Sequence, residues 1–181
     1  MPRKVVASTY VTLDGYIEEP AKWSFQFWSQ EAADSKAREL VASDALLLGR
    51  LTYEGFAGYW PTMEGTRDFG AKMNAMPKYV ASHTLQTATW NATIIEGDVA
   101  EAVRRLKQDD GGDLLIEGSG QLIDYLTSHD LIDEYRLMVV PILLGDGTKR
   151  LFKGVPRRTQ TLVGTLTFPT GVVVLTYHPA R

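Results

Sequence analysis

Short apolar runs alternate with longer amphipathic segments along most of this chain. Residues 45–48 and 114–116 are short and uniformly apolar, which predicts strands that are buried on both faces. Other stretches are rich in β-branched and aromatic residues, and they predict further strands at 4–11, 78–82, 92–96, 135–144, 161–167 and 172–178. The last two strands flank a Pro-Thr-Gly turn and predict a hairpin.

The amphipathic segments between these strands predict helices. Residues 31–42 place apolar side chains on one helical face, namely those of Ala33, Ala37, Leu40 and Val41. Residues 98–108 are the clearest helix, because Asp98 and Glu101 form an acidic variant of the capping box. Shorter helices are predicted at 52–58 and 121–128, whereas residues 60–76 predict a surface excursion.

The order of these elements predicts the fold class. Strands and helices alternate first, and the chain then ends in strands, which favours a central mixed sheet that is mostly parallel with antiparallel C-terminal strands. Helices cover both faces of such a sheet. The 181 residues suit one domain, and we find no repeat or linker that would divide residues 1–181.

Two of the predicted strands end at glycine, and a helix follows each of them. Residues 45–48 run into Gly49-Arg50-Leu51-Thr52, and residues 114–116 run into Glu117-Gly118-Ser119-Gly120. Glycine permits a sharp turn and a close approach by a ligand. The first N–H groups of a helix attract anions. The two junctions therefore predict two contact sites for one phosphate-bearing ligand. The alternative is that the glycines serve only the sharp turns by which the chain leaves the sheet.

Composition narrows the classes of function. The net charge is −3, so the sequence lacks the excess of basic residues that is typical of nucleic-acid-binding domains. The chain has no cysteine, so disulfides, thiolate metal ligands and thiol nucleophiles are excluded, and no metal-binding pattern is visible. No apolar run has the roughly 20 residues of a membrane helix, and no signal-like segment begins the chain. We expect a cytoplasmic protein that acts on a small molecule.

Five short motifs occur in an order that resembles a known family. They are Thr12 to Ile17, Asp44 to Gly49 with Thr52, Ile116-Glu117-Gly118, Asp133-Glu134-Tyr135, and Pro141 to Gly147. Together they resemble the reductase domain of the bifunctional riboflavin-biosynthesis enzyme, the RibD C-terminal domain family. That family shares the dihydrofolate reductase fold, a three-layer α/β architecture.

The resemblance implies an NADPH-dependent reductase that transfers hydride to a small planar heterocycle, pterin- or pyrimidine-like, or to a carbonyl compound. It implies a homodimer as well. The residues that it implies for cofactor binding are Gly49, Arg50, Leu51, Thr52, Ser82, His83, Gly118, Ser119, Gly120, Gln121 and Leu122. Within this set, Arg50, Ser82 and His83 would face the adenosine 2′-phosphate, because a guanidinium suits a phosphate.

Two acids are candidates for the chemistry. Asp14 lies on the loop after the first strand, and Glu117 ends an apolar strand, where a carboxylate needs a partner or a raised pKa. Both also have structural interpretations, Asp14 as a turn residue and Glu117 as a support for the adjacent turn. Trp23 and Asp34 are candidates for substrate binding, with Trp23 either a wall for a flat ring or an anchor for its loop.

Departures from the family pattern keep other functions open. Phe56 stands where the riboflavin-pathway reductases usually carry an acid, and Gly118-Ser119 replaces the two adjacent glycines of dihydrofolate reductases. Ile123 occupies the third glycine position of a Rossmann fingerprint, which excludes that fold. The alternatives are a flavin-binding or flavin-reducing protein and a non-catalytic dimeric binding module.

Overall fold

The computed structural model describes residues 2–63 and 67–180 and contains one eight-stranded sheet. Its strand order is β4-β3-β2-β5-β1-β6-β8-β7. The six strands β1 to β6 are mutually parallel, and β8 runs antiparallel to both β6 and β7. The strands are β1 Val5–Thr12, β2 Ser43–Gly49, β3 Lys78–Ala81, β4 Ala92–Ile94, β5 Asp113–Glu117, β6 Glu134–Val140, β7 Gln160–Thr167 and β8 Val173–Pro179.

Five α-helices in the described part of the chain cover the sheet, so the predicted three-layer arrangement is confirmed. They are α1 Gln30–Ala42, α2 Arg50–Tyr59, α3 Arg67–Ala75, α4 Val99–Gln108 and α5 Gly120–Ser128. Leu40, Tyr53 and Met73 pack helices α1, α2 and α3 against one face. Val103 and Leu126 pack helices α4 and α5 against the other. The uniformly apolar strands β2 and β5 lie between these layers, with Leu46, Leu47, Leu114 and Leu115 fully buried.

The excursion predicted for residues 60–76 is wrong where the structure describes it, and residues 64–66 lie outside the described part. Helix α3 occupies most of the segment, and Met73 and Met76 are 2% and 5% exposed. Phe56, at the position of the family's acid, packs edge to face with Trp60 beside the same core. Phe69, Met73 and Met76 pack against the same core, and their i, i+4, i+7 spacing was the signal of a buried helical face.

The face predicted for α1 is correct at Leu40 but wrong at Val41. The helix buries Ala32, Lys36, Glu39 and Leu40, while Val41 is 73% exposed. Hydrophobic spacing failed because two of the buried side chains are charged, and buried charges require partners. Those partners lie on the sheet, and they form part of the site described below.

The C-terminal strands agree with the hairpin prediction, and β6 is an interior strand. It lies between β1 and β8 and ends before Pro141, because proline has no N–H to donate to a neighbouring strand. The sheet ends at β7, where Leu162, Val163 and Leu166 are about half exposed. The homodimer stays a prediction. Among the described residues, no helix is long and apolar enough to cross a membrane.

Candidate functional site

The two glycine junctions lie side by side in the structure. Strands β2 and β5 are parallel neighbours, so their carboxyl ends meet at the same edge of the sheet. The Gly49 N–H donates to Ser119 Oγ at 3.0 Å, and Ser119 Oγ donates to the Glu117 carbonyl at 3.2 Å. A Cβ placed on Gly118 would lie 3.7 Å from Thr52 Oγ1. One hydroxyl therefore joins the two turns that the sequence singled out.

The helices that follow these junctions begin without a side-chain cap. Gly49 precedes α2 and Ser119 precedes α5, and neither residue accepts a hydrogen bond from the first turn of its helix. In contrast, Ser29 caps α1 and Asp98 caps α4, the latter through Glu101 N–H at 2.8 Å. The first N–H groups of α2 and α5 are therefore not occupied by a cap side chain, which is a property of helix starts that bind anions.

The residues predicted to read the 2′-phosphate gather at the same edge. Gly49 pairs with Ala81 in the register of β2 and β3, which brings the start of α2 next to Ser82 and His83. Ser82 Oγ accepts from the Leu85 N–H at 2.9 Å, and His83 is exposed. Arg50 forms an exposed ion pair with Glu54 at 3.0 Å.

The remaining cofactor candidates differ in exposure. Leu51 and Gln121 are exposed, whereas the Leu122 side chain is 6% exposed and packs in the core between α5 and the sheet. Leu122 can therefore offer a ligand only its backbone. Gly120 lies against Ile17, and a Cβ on Gly120 would overlap the Ile17 side chain. The loop after β1 thus covers the start of α5.

Glu117 lies in a buried row of polar side chains across three strands. Its register neighbour on β1 is Ser8, and the neighbour of Ser8 on β6 is Arg136. Lys36 descends from α1 into this row, and its ammonium donates to Glu117 Oε1 at 2.6 Å, Glu39 Oε1 at 2.6 Å and Ser8 Oγ at 3.0 Å. All three donors of the ammonium are used. We call Lys36, Glu39 and Glu117 the carboxylate–lysine cluster.

The two carboxylates of the cluster differ in charge balance. Glu39 has a second cation, because Arg136 Nη1 lies 3.4 Å from its Oε2. Burial disfavours the charged form of Glu39, yet Lys36 and Arg136 together lower its pKa. Burial raises the pKa of Glu117 to about 7, and the Glu39 charge adds to that effect while Lys36 opposes it. Glu117 is thus the group that can gain or lose a proton near neutral pH.

Asp14, the other candidate acid, fastens two loops together. Its carboxylate accepts from Thr12 Oγ1 at 2.6 Å, Gly145 N–H at 2.8 Å and Leu144 N–H at 3.1 Å. The bonds from Thr12 and from the backbone lower the pKa of Asp14 to about 2. A carboxyl group with this pKa is ionised at neutral pH and has no proton to give.

The substrate candidates Trp23 and Asp34 do not join the cluster. Trp23 is 6% exposed, packs in a core with Met138 and Val140, and donates to the Glu18 carbonyl at 2.8 Å. Asp34 lies on the exposed side of α1, where Gln30 donates to it at 2.8 Å. A cleft of about 230 Å³ opens between α1 and the strands β6 and β8, and Lys36, Glu39 and Arg136 are among its walls.

Sequence reasoning missed Lys36, Glu39 and Arg136 as members of the site. Lys36 and Glu39 share one helical face with Leu40, and that coincidence was the available signal. Arg136 is the one charged residue of the strand predicted at 135–144, and a charge within a buried strand requires a partner.

Ser119 offers a stability test of this geometry. It adopts left-handed backbone angles, φ 57° and ψ 50°, which are costly for any residue with a Cβ. Ser119→Gly and Ser119→Ala both lose the hydroxyl that joins the junctions, but only glycine relieves the backbone strain. We expect Ser119→Ala to be less stable than Ser119→Gly by about 1 kcal/mol in denaturant unfolding. Equal stabilities would contradict the left-handed conformation.

Comparisons with known proteins agree with the fold. The chain is 32% identical over 181 residues to the uncharacterized protein YyaP of Bacillus subtilis (strain 168), covering 97% of this chain and 95% of YyaP. A Shewanella sp. PV-4 protein provisionally assigned to riboflavin biosynthesis superimposes with a TM-score of 0.78 at 22% identity, over 100% of both chains. Enterococcus faecalis dihydrofolate reductase, complexed with NADP(H) and RAB-propyl, superimposes with a TM-score of 0.64 at 16% identity, over 98% of this chain and 97% of that one.

These likenesses define the class as a dihydrofolate reductase-like α/β domain, as the order of motifs predicted. The model of the RibD C-terminal domain matches residues 3–174, which is nearly the whole chain. The protein therefore belongs to the RibD C-terminal domain family.

Proposed function

We propose that the protein is an NADPH-dependent reductase that acts on a small planar heterocycle of the pterin or pyrimidine class. Membership of the RibD C-terminal domain family supports a reductase. The single observation that carries the proposal is the pair of uncapped helix starts joined through Ser119, with the buried Glu117 directly before one of them.

The residues at the sheet edge fit a dinucleotide with a 2′-phosphate. The N-terminal N–H groups of α2 and α5 suit phosphate oxygens, and the two junctions lie so close together that a Cβ on Gly49 or Gly118 would contact the opposite junction. Arg50, Ser82 and His83 at the neighbouring strand ends would hold the 2′-phosphate. Bound there, NADPH would supply the hydride.

The chain's own contribution is to orient the reactants, exclude water and handle a proton. Reduction of a double bond requires one proton for each hydride. We assign that proton to Glu117 rather than Asp14, because Glu117 is 13% exposed and bound to one cation, whereas Asp14 is committed to backbone N–H groups.

A fluorescence titration tests the cofactor. Two of the four tryptophans, Trp60 and Trp90, pack on the α2–α3 side of the sheet, so we expect NADPH to quench tryptophan emission in a saturable way. The absence of quenching up to millimolar NADPH would overturn the proposal. Quenching by flavin but not by NADPH would favour the flavin-binding alternative. A panel of oxidised pterins and pyrimidines, with loss of NADPH absorbance as the readout, then identifies the substrate class.

A further inference from the structure

The carboxylate–lysine cluster is more elaborate than a single catalytic acid requires. Two carboxylates share one ammonium, each at 2.6 Å, and the ammonium is otherwise bound only to Ser8. Side chains of the cluster are 7–13% exposed, so their charges interact with little screening by water. One carboxylate is enough to neutralise a buried lysine, so the presence of a second one has to be explained by another role.

The two carboxylates differ in the number of cations that they contact. Glu39 is held between two cations, Lys36 and Arg136, whereas Glu117 contacts only one of them. Arg136 is in turn bound to Glu134 at 2.5 Å, which fixes its position on β6. When both carboxylates are ionised, the carboxylate–lysine cluster has a net charge of −1. Glu117 contacts one cation and Glu39 contacts two, so Glu117 is the carboxylate that takes up a proton more readily.

We propose that Lys36 and Glu39 are positioning residues that make Glu117 the exchangeable proton carrier of the site. Lys36 donates to one oxygen of Glu117, so the exchangeable proton would be carried by the other oxygen. Glu39 supplies a permanent negative charge that offsets part of the ammonium's charge. The role in catalysis rests on the proposed function, but the arrangement of charge does not.

Within the described residues, the charges that shift the pKa of Glu117 most are those of Lys36 and Glu39 on α1. Its neighbours on β1 are Ser8 and Tyr10, and Arg136 on β6 is the register neighbour of Ser8. Burial raises the pKa of Tyr10 to about 12, so Tyr10 stays neutral at the pH values concerned. Removal of Lys36 and removal of Glu39 must therefore change the proton affinity of Glu117 in opposite directions.

Titration of Glu117 itself tests this proposal without cofactor or substrate. Protein labelled with ¹³C at the glutamate side-chain carboxyl is titrated by NMR, and the Glu117 resonance is the one that disappears in Glu117→Gln. We expect Glu39→Gln to move the Glu117 midpoint down by about 1 or more, since the full charge of Lys36 then favours the carboxylate. We expect Lys36→Met to move it up by about 1–3.

Lys78→Met is the matched control. Lys78 is a fully buried lysine on β3, bound to the Asn74 carbonyl and to the Trp90 ring, and its loss should leave the Glu117 midpoint unchanged. Shifts of the same sign in Glu39→Gln and Lys36→Met, or no shift in Glu39→Gln, would overturn the proposal. If Lys36→Met does not fold, the downward shift in Glu39→Gln decides alone. Opposite shifts together with no NADPH binding would support the charge arrangement and reject the reductase.

Discussion

Replacing Glu117 by glutamine is expected to lower the turnover number by about 10²–10⁴-fold, the usual contribution of a general acid. The amide has nearly the shape of the carboxyl group, and its oxygen can still accept from Lys36, but it has no proton to release. NADPH affinity should stay unchanged, because the phosphates would contact the N-terminal N–H groups of α2 and α5 and not the Glu117 side chain. The measurement is the rate of NADPH oxidation with a substrate from the panel, compared with the NADPH dissociation constant.

The pH dependence of the same reaction gives a second readout. A general acid must be protonated, and burial places the pKa of Glu117 at about 7. The wild-type rate should therefore fall as the pH rises through 7, and the residual rate of Glu117→Gln should not show that step. A step that persists in the variant would assign the proton to another group.

Asp14→Asn separates the two candidate acids. Asp14 accepts from the backbone of Leu144 and Gly145, so its replacement should lower thermal stability while turnover of the folded variant changes little. A larger loss of turnover in Asp14→Asn than in Glu117→Gln, at unchanged stability, would reverse our assignment.

The fold was predictable because its strongest signals are local. The short apolar runs at β2 and β5 favour buried strands, and a glycine, Gly49 at the end of β2 and Gly118 directly after β5, marks each point where the chain turns. The cap of α4 by Asp98 was predicted correctly, because Asp98 and Glu101 lie within one turn and need no tertiary partner. The mostly parallel arrangement of the strands then followed from the alternation of strands and helices.

The centre of the site was less predictable, because its stabilisation is non-local. Lys36 contacts Glu117, which lies 81 positions away in the sequence, and Arg136 contacts Glu39, which lies 97 positions away. A method that scores helical faces by hydrophobicity places Lys36 and Glu39 in water. The strand register sets Ser8 between Glu117 and Arg136, and Lys36 and Glu39 are the residues of α1 that form ion pairs with those two side chains.

Arg50→Ala is expected to weaken NADPH by about 10- to 100-fold and NADH by less than about 3-fold, since charge-assisted hydrogen bonds to a phosphate contribute about 1.5–3 kcal/mol. Arg50 begins α2, beside the ends of β2 and β3, and its pair with Glu54 is exposed, so the guanidinium can turn to a ligand at little cost. Arg104→Ala is the matched control: its side chain is also 42% exposed, and it pairs with Glu101 one turn away on α4. Fluorescence titrations of both variants with both cofactors give the four affinities. If Arg50→Ala weakened NADPH and NADH equally, Arg50 would not read the 2′-phosphate, and the preference for NADPH would have to arise at Ser82 and His83.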